Sequence, residues 1–179
     1  MTESLCFIGV VPPEELQTKV TVLKKWVATK YNSRHALKSA PHITLVPPFW
    51  WEDGRLEDLF ESLISFGGDQ QPIDIHLKGF GAFNPRVIFI DVGDPGPLLR
   101  LHDRLHQHLQ ESLSFKKNHR AKFNPHMTIA FKDLSKSAFY RAWEYFQRQS
   151  FLEHFTADHF TLFLHRQGRW HIEKDFPFG

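Results

Sequence analysis

The chain has little cysteine and no long apolar run, and each absence excludes a class of protein. Cys6 is the only cysteine in 179 residues, so an internal disulfide cannot form. Because Cys6 lies in the apolar run 5–11, a buried strand thiol is expected. No stretch approaches the roughly 18 apolar residues of a membrane span, and no basic segment followed by an apolar one opens the chain. A soluble, cytoplasmic protein with no membrane partner is therefore expected.

Neither sign of charge dominates. The sequence has 22 basic and 20 acidic residues and a formal net charge of +2 with histidines neutral. This balance excludes a general nucleic-acid coat, so any contact with a polyanion should be local. The hydrophobic content of 41%, with 18 phenylalanines, is enough for a sizeable core. Length and the lack of a linker predict one domain over 1–179, with two lobes sharing one cleft. A monomer is expected.

Hydrophobic periodicity predicts an alternating order of strands and helices. Strands are predicted at 5–11, 42–46, 73–77, 86–92, 126–131, 155–166 and 169–176, the last two as a hairpin, and helices at 14–31, 55–66, 97–113 and 137–149. Pro47-Pro48 is expected to stop the second strand. The second half echoes the first without its opening strand. This order predicts an α+β fold: a bilobal, pseudo-symmetric arrangement of two antiparallel-type sheets with outer helices and a central cleft.

A four-residue pattern occurs twice, about half a chain apart. Pro41-His42-Ile43-Thr44 and Pro125-His126-Met127-Thr128 are each followed by apolar residues. On an extended strand, His and Thr two positions apart point to the same face, and the residue between them points to the other. A single His-x-Thr would be interpreted as the polar face of a strand. The repetition in the same context favours catalysis instead.

Two such motifs facing each other would surround one cavity with two imidazoles and two hydroxyls. Imidazole titrates near neutrality and suits acid–base chemistry. One imidazole would take a proton from an attacking oxygen and the other would deliver one to a leaving oxygen. The hydroxyls of Thr44 and Thr128 would hold the non-bridging oxygens of a phosphoryl group. The pattern does not decide which of His42 and His126 is the base.

The paired motifs resemble the 2H phosphoesterase superfamily, in particular its 2′-5′ RNA ligase-like, or cyclic phosphodiesterase, branch. The segment 85–92 is similar to the strand that this family has between its motifs, and the basic segment 116–124 to its approach to the second motif. The resemblance implies a bilobal fold and a metal-independent enzyme without a cofactor. It also implies a reaction, which is opening 2′,3′-cyclic phosphates or making and breaking 2′-5′ linkages in RNA ends or nucleotides.

Four basic residues are candidates for substrate binding. Many family members carry an arginine shortly after the second motif, where this chain has Phe131 and Lys132; Lys132 would supply a point charge in place of a bidentate fork. Arg120 and Lys122 belong to a basic cluster before the second motif that suits phosphate contacts. Arg86 opens a predicted strand, and alternation leaves open whether it faces the cleft.

Other interpretations of the sequence stay open at this stage. A nucleotide- or RNA-binding module could use the same cleft without turnover. His102 and His106, four apart on a predicted helix, could serve a zinc-dependent hydrolase, although a solvated helix face is the favoured interpretation. Phe7 and Phe83 are assigned to core packing.

Overall fold

The computed structural model describes residues 2–116 and 122–179, which form four α-helices and eight strands. The helices are α1 (Glu14–Tyr31), α2 (Leu56–Gly68), α3 (Gly96–Leu113) and α4 (Lys136–Phe146). The strands are β1 (Glu3–Val10), β2 (Ile43–Glu52), β3 (Ile73–Phe83), β4 (Val87–Val92), β5 (His126–Ala130), β6 (Leu152–Ala157), β7 (His159–Arg166) and β8 (Arg169–Pro177). Short 3₁₀ turns lie at His35–Lys38 and Asp53–Arg55. Within the described residues, no helix is long and apolar enough to cross a membrane.

The α+β class and the antiparallel pairing are confirmed, and the two predicted sheets are joined into one. The strand order is β6-β3-β4-β5-β2-β1-β7-β8. The sheet therefore has two halves of four neighbouring strands, β6-β3-β4-β5 and β2-β1-β7-β8, and each half contains one motif strand. The halves meet where β2 pairs with β5, through the single partner pair Ile43 and Met127. Separate sheets would have left β2 and β5 with unpaired inner edges. This junction brings the two motif strands side by side.

The helices that lead into the two motifs are equivalent. Helix α1 connects β1 to β2, and α3 connects β4 to β5; both have 18 residues and end at a left-handed residue, Asn32 or Ser114, with φ of 54°. This conformation is a common way to end a helix. Helix α1 packs against β5 and α4, whereas α3 packs against β2, β3 and α2. The helix that precedes each motif therefore contacts the strand that carries the other motif.

The alternation predicted for the motif strands is confirmed. Ile43, Leu45, Met127 and Ile129 are fully buried, while the intervening His and Thr residues are partly exposed. Burying an aliphatic side chain is worth about 1.5–3 kcal/mol relative to exposing it. Because a shift by one residue would exchange the two faces, this burial fixes the register that exposes the motif side chains.

Several predicted strand boundaries were wrong, and the strand predicted at 73–77 continues as β3 to Phe83. Strand β2 continues through Pro47 and Pro48 to Glu52, because its pairing with β1 shifts register between Val46 and Phe49. Proline is tolerated at such a bulge, where the ladder does not need its missing N–H. The predicted strand 155–166 is two strands separated by Asp158. Strand β6 pairs with β3 in one half, whereas β7 pairs with β1 in the other and forms the hairpin with β8.

Candidate active site

The two motifs meet at the junction of the two halves. Since Ile43 and Met127 are antiparallel partners, counting one residue outward places His42 opposite Thr128 and Thr44 opposite His126. Directly opposed residues have Cβ atoms about 4.5–5.5 Å apart, and diagonal ones, such as the two histidines, about 7–8 Å apart. All four side chains lie on the face of the sheet opposite to Ile43 and Met127. Each imidazole therefore has the other motif's hydroxyl as its neighbour.

Both imidazoles are held by the same local hydrogen bond. Nδ1 of His42 donates to the carbonyl oxygen of Ala40 at 2.7 Å, and Nδ1 of His126 donates to the carbonyl of Asn124 at 2.7 Å. A carbonyl oxygen only accepts, so the proton of each neutral ring is on Nδ1. This tautomer leaves Nε2 of both rings as the nitrogen that can exchange a proton with a substrate.

Phenylalanine rings surround each imidazole. The His42 ring lies 4.6 Å from the ring of Phe7 and 5.4 Å from that of Phe163, measured between centroids. The His126 ring lies 4.7 Å from Phe89 and 5.0 Å from Phe83. These contacts fix the ring planes and remove water from one side of each imidazole. Core packing is confirmed for Phe7, which is buried in a cluster with Val11 and Phe163, and is wrong for Phe83, which is exposed. Both rings also contact a motif histidine.

The surroundings lower the pKa of both imidazoles. Burial among apolar groups lowers the pKa of His42 to about 4, against the opposing hydrogen bond to Ala40, and the nearby ammonium of Lys24 acts in the same direction as burial. Burial also lowers the pKa of His126 below its ordinary value, although its bond to Asn124 and the charge of Asp91 oppose this shift. Asp91 is the strand partner of His126. Both rings are thus neutral at pH 7 when no ligand is bound.

Two cavities flank the paired motifs and adjoin at Thr44. The larger one, of about 400 Å³, is lined by His126, Thr44 and mostly aromatic or apolar side chains: Leu45, Pro47, Phe83, His102, His106, Phe123, with Lys122 and Asn124. The smaller one, of about 250 Å³, contains His42, Thr44 and Thr128 together. Its walls are more polar and include Lys24, His35, Ser39 and Lys132. The cleft is therefore chemically asymmetric, with an aromatic side at His126 and a cationic side at His42.

The predicted substrate-binding residues are only partly brought together. Lys132 lines the smaller cavity and Lys122 the larger one. Arg86 lines neither cavity, because it lies in the turn between β3 and β4, one residue before β4 begins. Its role in substrate binding stays a prediction. Arg120 lies outside the described residues.

A comparison with protein families gives this geometry its context. The model of the 2′-5′ RNA ligase superfamily matches residues 12–169, which include both His-x-Thr motifs.

The chain belongs to the 2′-5′ RNA ligase superfamily.

Relatives and solved structures agree with this membership. The chain is 28% identical over 175 residues to a candidate phosphoesterase of Geobacillus kaustophilus (strain HTA426), covering 96% of this chain and 95% of that protein. The fold matches E. coli LigT in complex with 3′-AMP, with a TM-score of 0.69, 19% identity and 99% of both chains covered. TT0787 of Thermus thermophilus matches with a TM-score of 0.69, 18% identity and 97% of both chains covered. Superfamily membership supports a phosphoesterase-type activity.

Three buried residues that line the two cavities, His102, His106 and Lys24, were not assigned to the cleft from the sequence. His102 and His106 are 5% and 9% exposed and line the larger cavity, so the solvated helix face was wrong. His102 stacks on Phe123 with centroids 4.0 Å apart. No group of three or more metal-ligating side chains is found in the described ranges. Lys24 was missed although it interrupts the apolar stripe of α1 at helical spacing, and a lysine at such a position is itself a signal.

Proposed function

We propose that this chain is a metal-independent phosphodiesterase that acts on RNA ends or related nucleotides. It would open a 2′,3′-cyclic phosphate, or make and break a 2′-5′ linkage, with His42 and His126 as its acid–base pair. The observation that carries the proposal is the register of β2 and β5. Because Ile43 pairs with Met127, two imidazoles and two hydroxyls surround the same small space, and each imidazole has Nε2 free of the backbone bond.

The reaction follows from these positions. In ring opening, water attacks phosphorus while Nε2 of one histidine takes a water proton. The bond from phosphorus to one ribose oxygen breaks, and that oxygen takes a proton from Nε2 of the other histidine, which enters the reaction protonated on both ring nitrogens. A phosphomonoester and a free hydroxyl result. Proton exchange with solvent then returns both rings to their starting states. In the 2′-5′ reaction, a ribose or 5′ hydroxyl takes the part of water.

The two threonines complete the site. Each Thr hydroxyl lies across the strand pair from the other motif's imidazole, so both can donate to non-bridging oxygens while the imidazoles act on the attacking and leaving oxygens. The aromatic cavity beside His126 suits the nucleoside, since Phe83 and Phe123 offer rings on which a base can stack. E. coli LigT structures in complex with 3′-AMP, NADP⁺ and ATP lend support to a nucleotide ligand.

The test is a product-resolved assay of the four nucleoside 2′,3′-cyclic phosphates and of 2′-5′ and 3′-5′ dinucleotides, run with EDTA present. We expect turnover of cyclic phosphates to one regioisomer, unaffected by chelation. Nucleotide binding without turnover of any of these substrates would instead identify a binding module. Loss of activity with EDTA and its return with zinc would contradict acid–base catalysis by the imidazole pair and indicate a metal-dependent mechanism.

A further inference from the structure

Lys24 is a buried cation in the wall of the cleft. Its side chain is 2% exposed on helix α1, and its ammonium donates a hydrogen bond of 3.2 Å to the carbonyl oxygen of Ser39. Among residues 2–116 and 122–179, no carboxylate lies within 4 Å of this nitrogen, whereas neighbouring Lys19 contacts Glu15 and Glu153. The charge of Lys24 is thus held inside the protein by one neutral acceptor.

Such an arrangement is unfavourable unless something else completes it. Buried charges in proteins are normally paired, because removing an unpaired ion from water costs several kcal/mol. An ammonium group has three donors, and the Ser39 carbonyl uses one of them. The open side of Lys24 is the smaller cavity, which also contains His42, Thr44 and Thr128. The missing counter-charge therefore belongs in the space between the two motifs.

The equivalent helix shows that this lysine is specific to one side of the cleft. Lys24 is the eleventh residue of α1, and His106 is the eleventh residue of α3. Both are buried and both face a cavity beside the paired motifs, but His106 faces the aromatic one. Lys132 adds a second positive charge on the Lys24 side, whereas the lysine of the aromatic side, Lys122, is exposed. The anionic part of a ligand should consequently bind on this side and the nucleoside on the other.

We propose that Lys24 is an anion-binding residue of the active site, and that the phosphoryl group of substrate or product supplies the counter-charge it lacks. The proposal rests on the proposed function and adds to it a residue outside both His-x-Thr motifs. Lys24 donates to a non-bridging oxygen from the helix side, while Thr44 and Thr128 donate from the strands. The buried ammonium also sets the orientation of the ligand in the cleft, with its phosphate toward α1 and its base toward α3.

The test measures binding of inorganic phosphate at pH 7 by calorimetry, for the wild type, Lys24→Met and Lys25→Met. Methionine matches the buried stem of lysine without its charge. Lys25 is the matched control, because it is the next residue on the same helix but is exposed. We expect Lys24→Met to weaken phosphate binding at least tenfold and Lys25→Met to leave it within twofold. Equal binding by the wild type and Lys24→Met would overturn the proposal.

Thermal stability distinguishes a binding role from a structural one. If Lys24 serves to bind an anion, its unpaired charge destabilises the protein when no ligand is bound. Lys24→Met should therefore have a higher Tm than the wild type in the absence of phosphate. Added phosphate should raise the Tm of the wild type and not that of the variant. If Lys24→Met is less stable than the wild type without phosphate, or fails to fold, phosphate binding is measured on Lys24→Gln, which keeps a hydrogen-bond donor for the Ser39 carbonyl. Retained phosphate binding in Lys24→Gln would then overturn the proposal.

Turnover separates this inference from the function on which it rests. If the wild type binds phosphate through Lys24 but hydrolyses no cyclic nucleotide, the anion site stands and the proposed function falls. If cyclic nucleotides are hydrolysed at the same kcat/KM by the wild type and Lys24→Met, the function stands and the role of Lys24 falls.

Discussion

At the scale of single residues, the same three features set each motif histidine. A backbone carbonyl two residues earlier fixes the tautomer, two phenylalanine rings fix the plane, and a threonine from the other motif lies across the strand pair. In neither case is the hydrogen bond that orients the ring made to a carboxylate. Because the same three features recur at both histidines, two separate stretches of sequence form matching halves of one site.

The threonine hydroxyls should contribute less than the imidazoles. We expect Thr44→Val and Thr128→Val each to lower kcat/KM, with an upper limit of about 3–4 kcal/mol in transition-state stabilisation, because a hydroxyl donates to charge that develops on phosphorus oxygens. Steady-state kinetics on a 2′,3′-cyclic nucleotide measures this loss. A threonine variant as inactive as the histidine variants would point to a role other than hydrogen bonding to those oxygens.

The lowered pKa values predict an acidic optimum. The profile of kcat/KM should fall on the acid side near pH 4, where His42 gains a proton, and on the alkaline side below pH 6.5, where His126 loses one. This holds whichever ring is the base, because one of the two must be protonated and the other neutral. Lys24→Met should move the acid limb to higher pH, since the ammonium of Lys24 lowers the pKa of His42. A profile flat from pH 5 to 9 would contradict the alkaline limb, and an acid limb at or above pH 6.5 would contradict the lowered pKa of His42.

At the scale of elements, the pairing of β3 with β4 controls the surroundings of His126. Gly81 is the strand partner of Phe89, and a Cβ at Gly81 would overlap the Phe89 ring. That ring packs on His126. Glycine is therefore needed here for close approach, and not for an unusual backbone angle.

Replacing this glycine should disturb both stability and the site. We expect Gly81→Ala to cost about 1–3 kcal/mol by forcing the Phe89 ring to move, and to lower kcat/KM as His126 loses its support. Gly68→Ala is the control, because nothing lies within 4 Å of a Cβ at that position. Chemical denaturation and steady-state kinetics check the two effects. Wild-type values for Gly81→Ala would mean that the ring contact has no part in placing His126.

The elements also show where sequence patterns fail. Helices α1 and α3 and the buried faces of the motif strands were predictable, because long apolar periodicity is a strong signal. The extent of β2 was not, because Pro47 and Pro48 lie at a bulge that only the pairing with β1 defines. The break at Asp158 was missed for a similar reason, since the chain changes partners there and alternation continues through it.

At the scale of the whole molecule, the site is a property of the junction between halves. The two His-x-Thr motifs could be found from the repetition alone. The opposing placement of His42 and Thr128 depends on one long-range strand pair, which no local pattern contains. Lys24, His102 and His106 reach the cleft because each helix crosses to the other half's motif strand. A helix-face argument applied to one helix at a time could not predict this.

The free energy of unfolding should depend on pH through the titration of Lys24. Burial lowers the pKa of this lysine from 10.5 to about 8, so the folded state binds the proton less tightly than the unfolded state. Protonation therefore favours unfolding by about 3 kcal/mol below pH 8, and the penalty disappears as pH rises from 8 to 10.5. Lys24→Met should be more stable than the wild type at pH 7 by up to this amount. Chemical denaturation should show that the difference in free energy of unfolding between Lys24→Met and the wild type is smaller at pH 10.5 than at pH 7. Lys25→Met should differ little from the wild type at either pH.

A double-mutant cycle on the two histidines tests most directly whether both motifs act on one phosphoryl group. We would measure kcat/KM on a 2′,3′-cyclic nucleotide, with EDTA present, for His42→Ala, His126→Ala and the double variant. His171→Ala is the control, because His171 is exposed on β8 and distant in sequence from both motifs. Each single variant should remain folded and lose about 10²–10⁴-fold, and the double variant should lose little more, because the two rings serve one reaction. Near wild-type activity in either folded single variant, or losses that multiply in the double variant, would contradict a shared site.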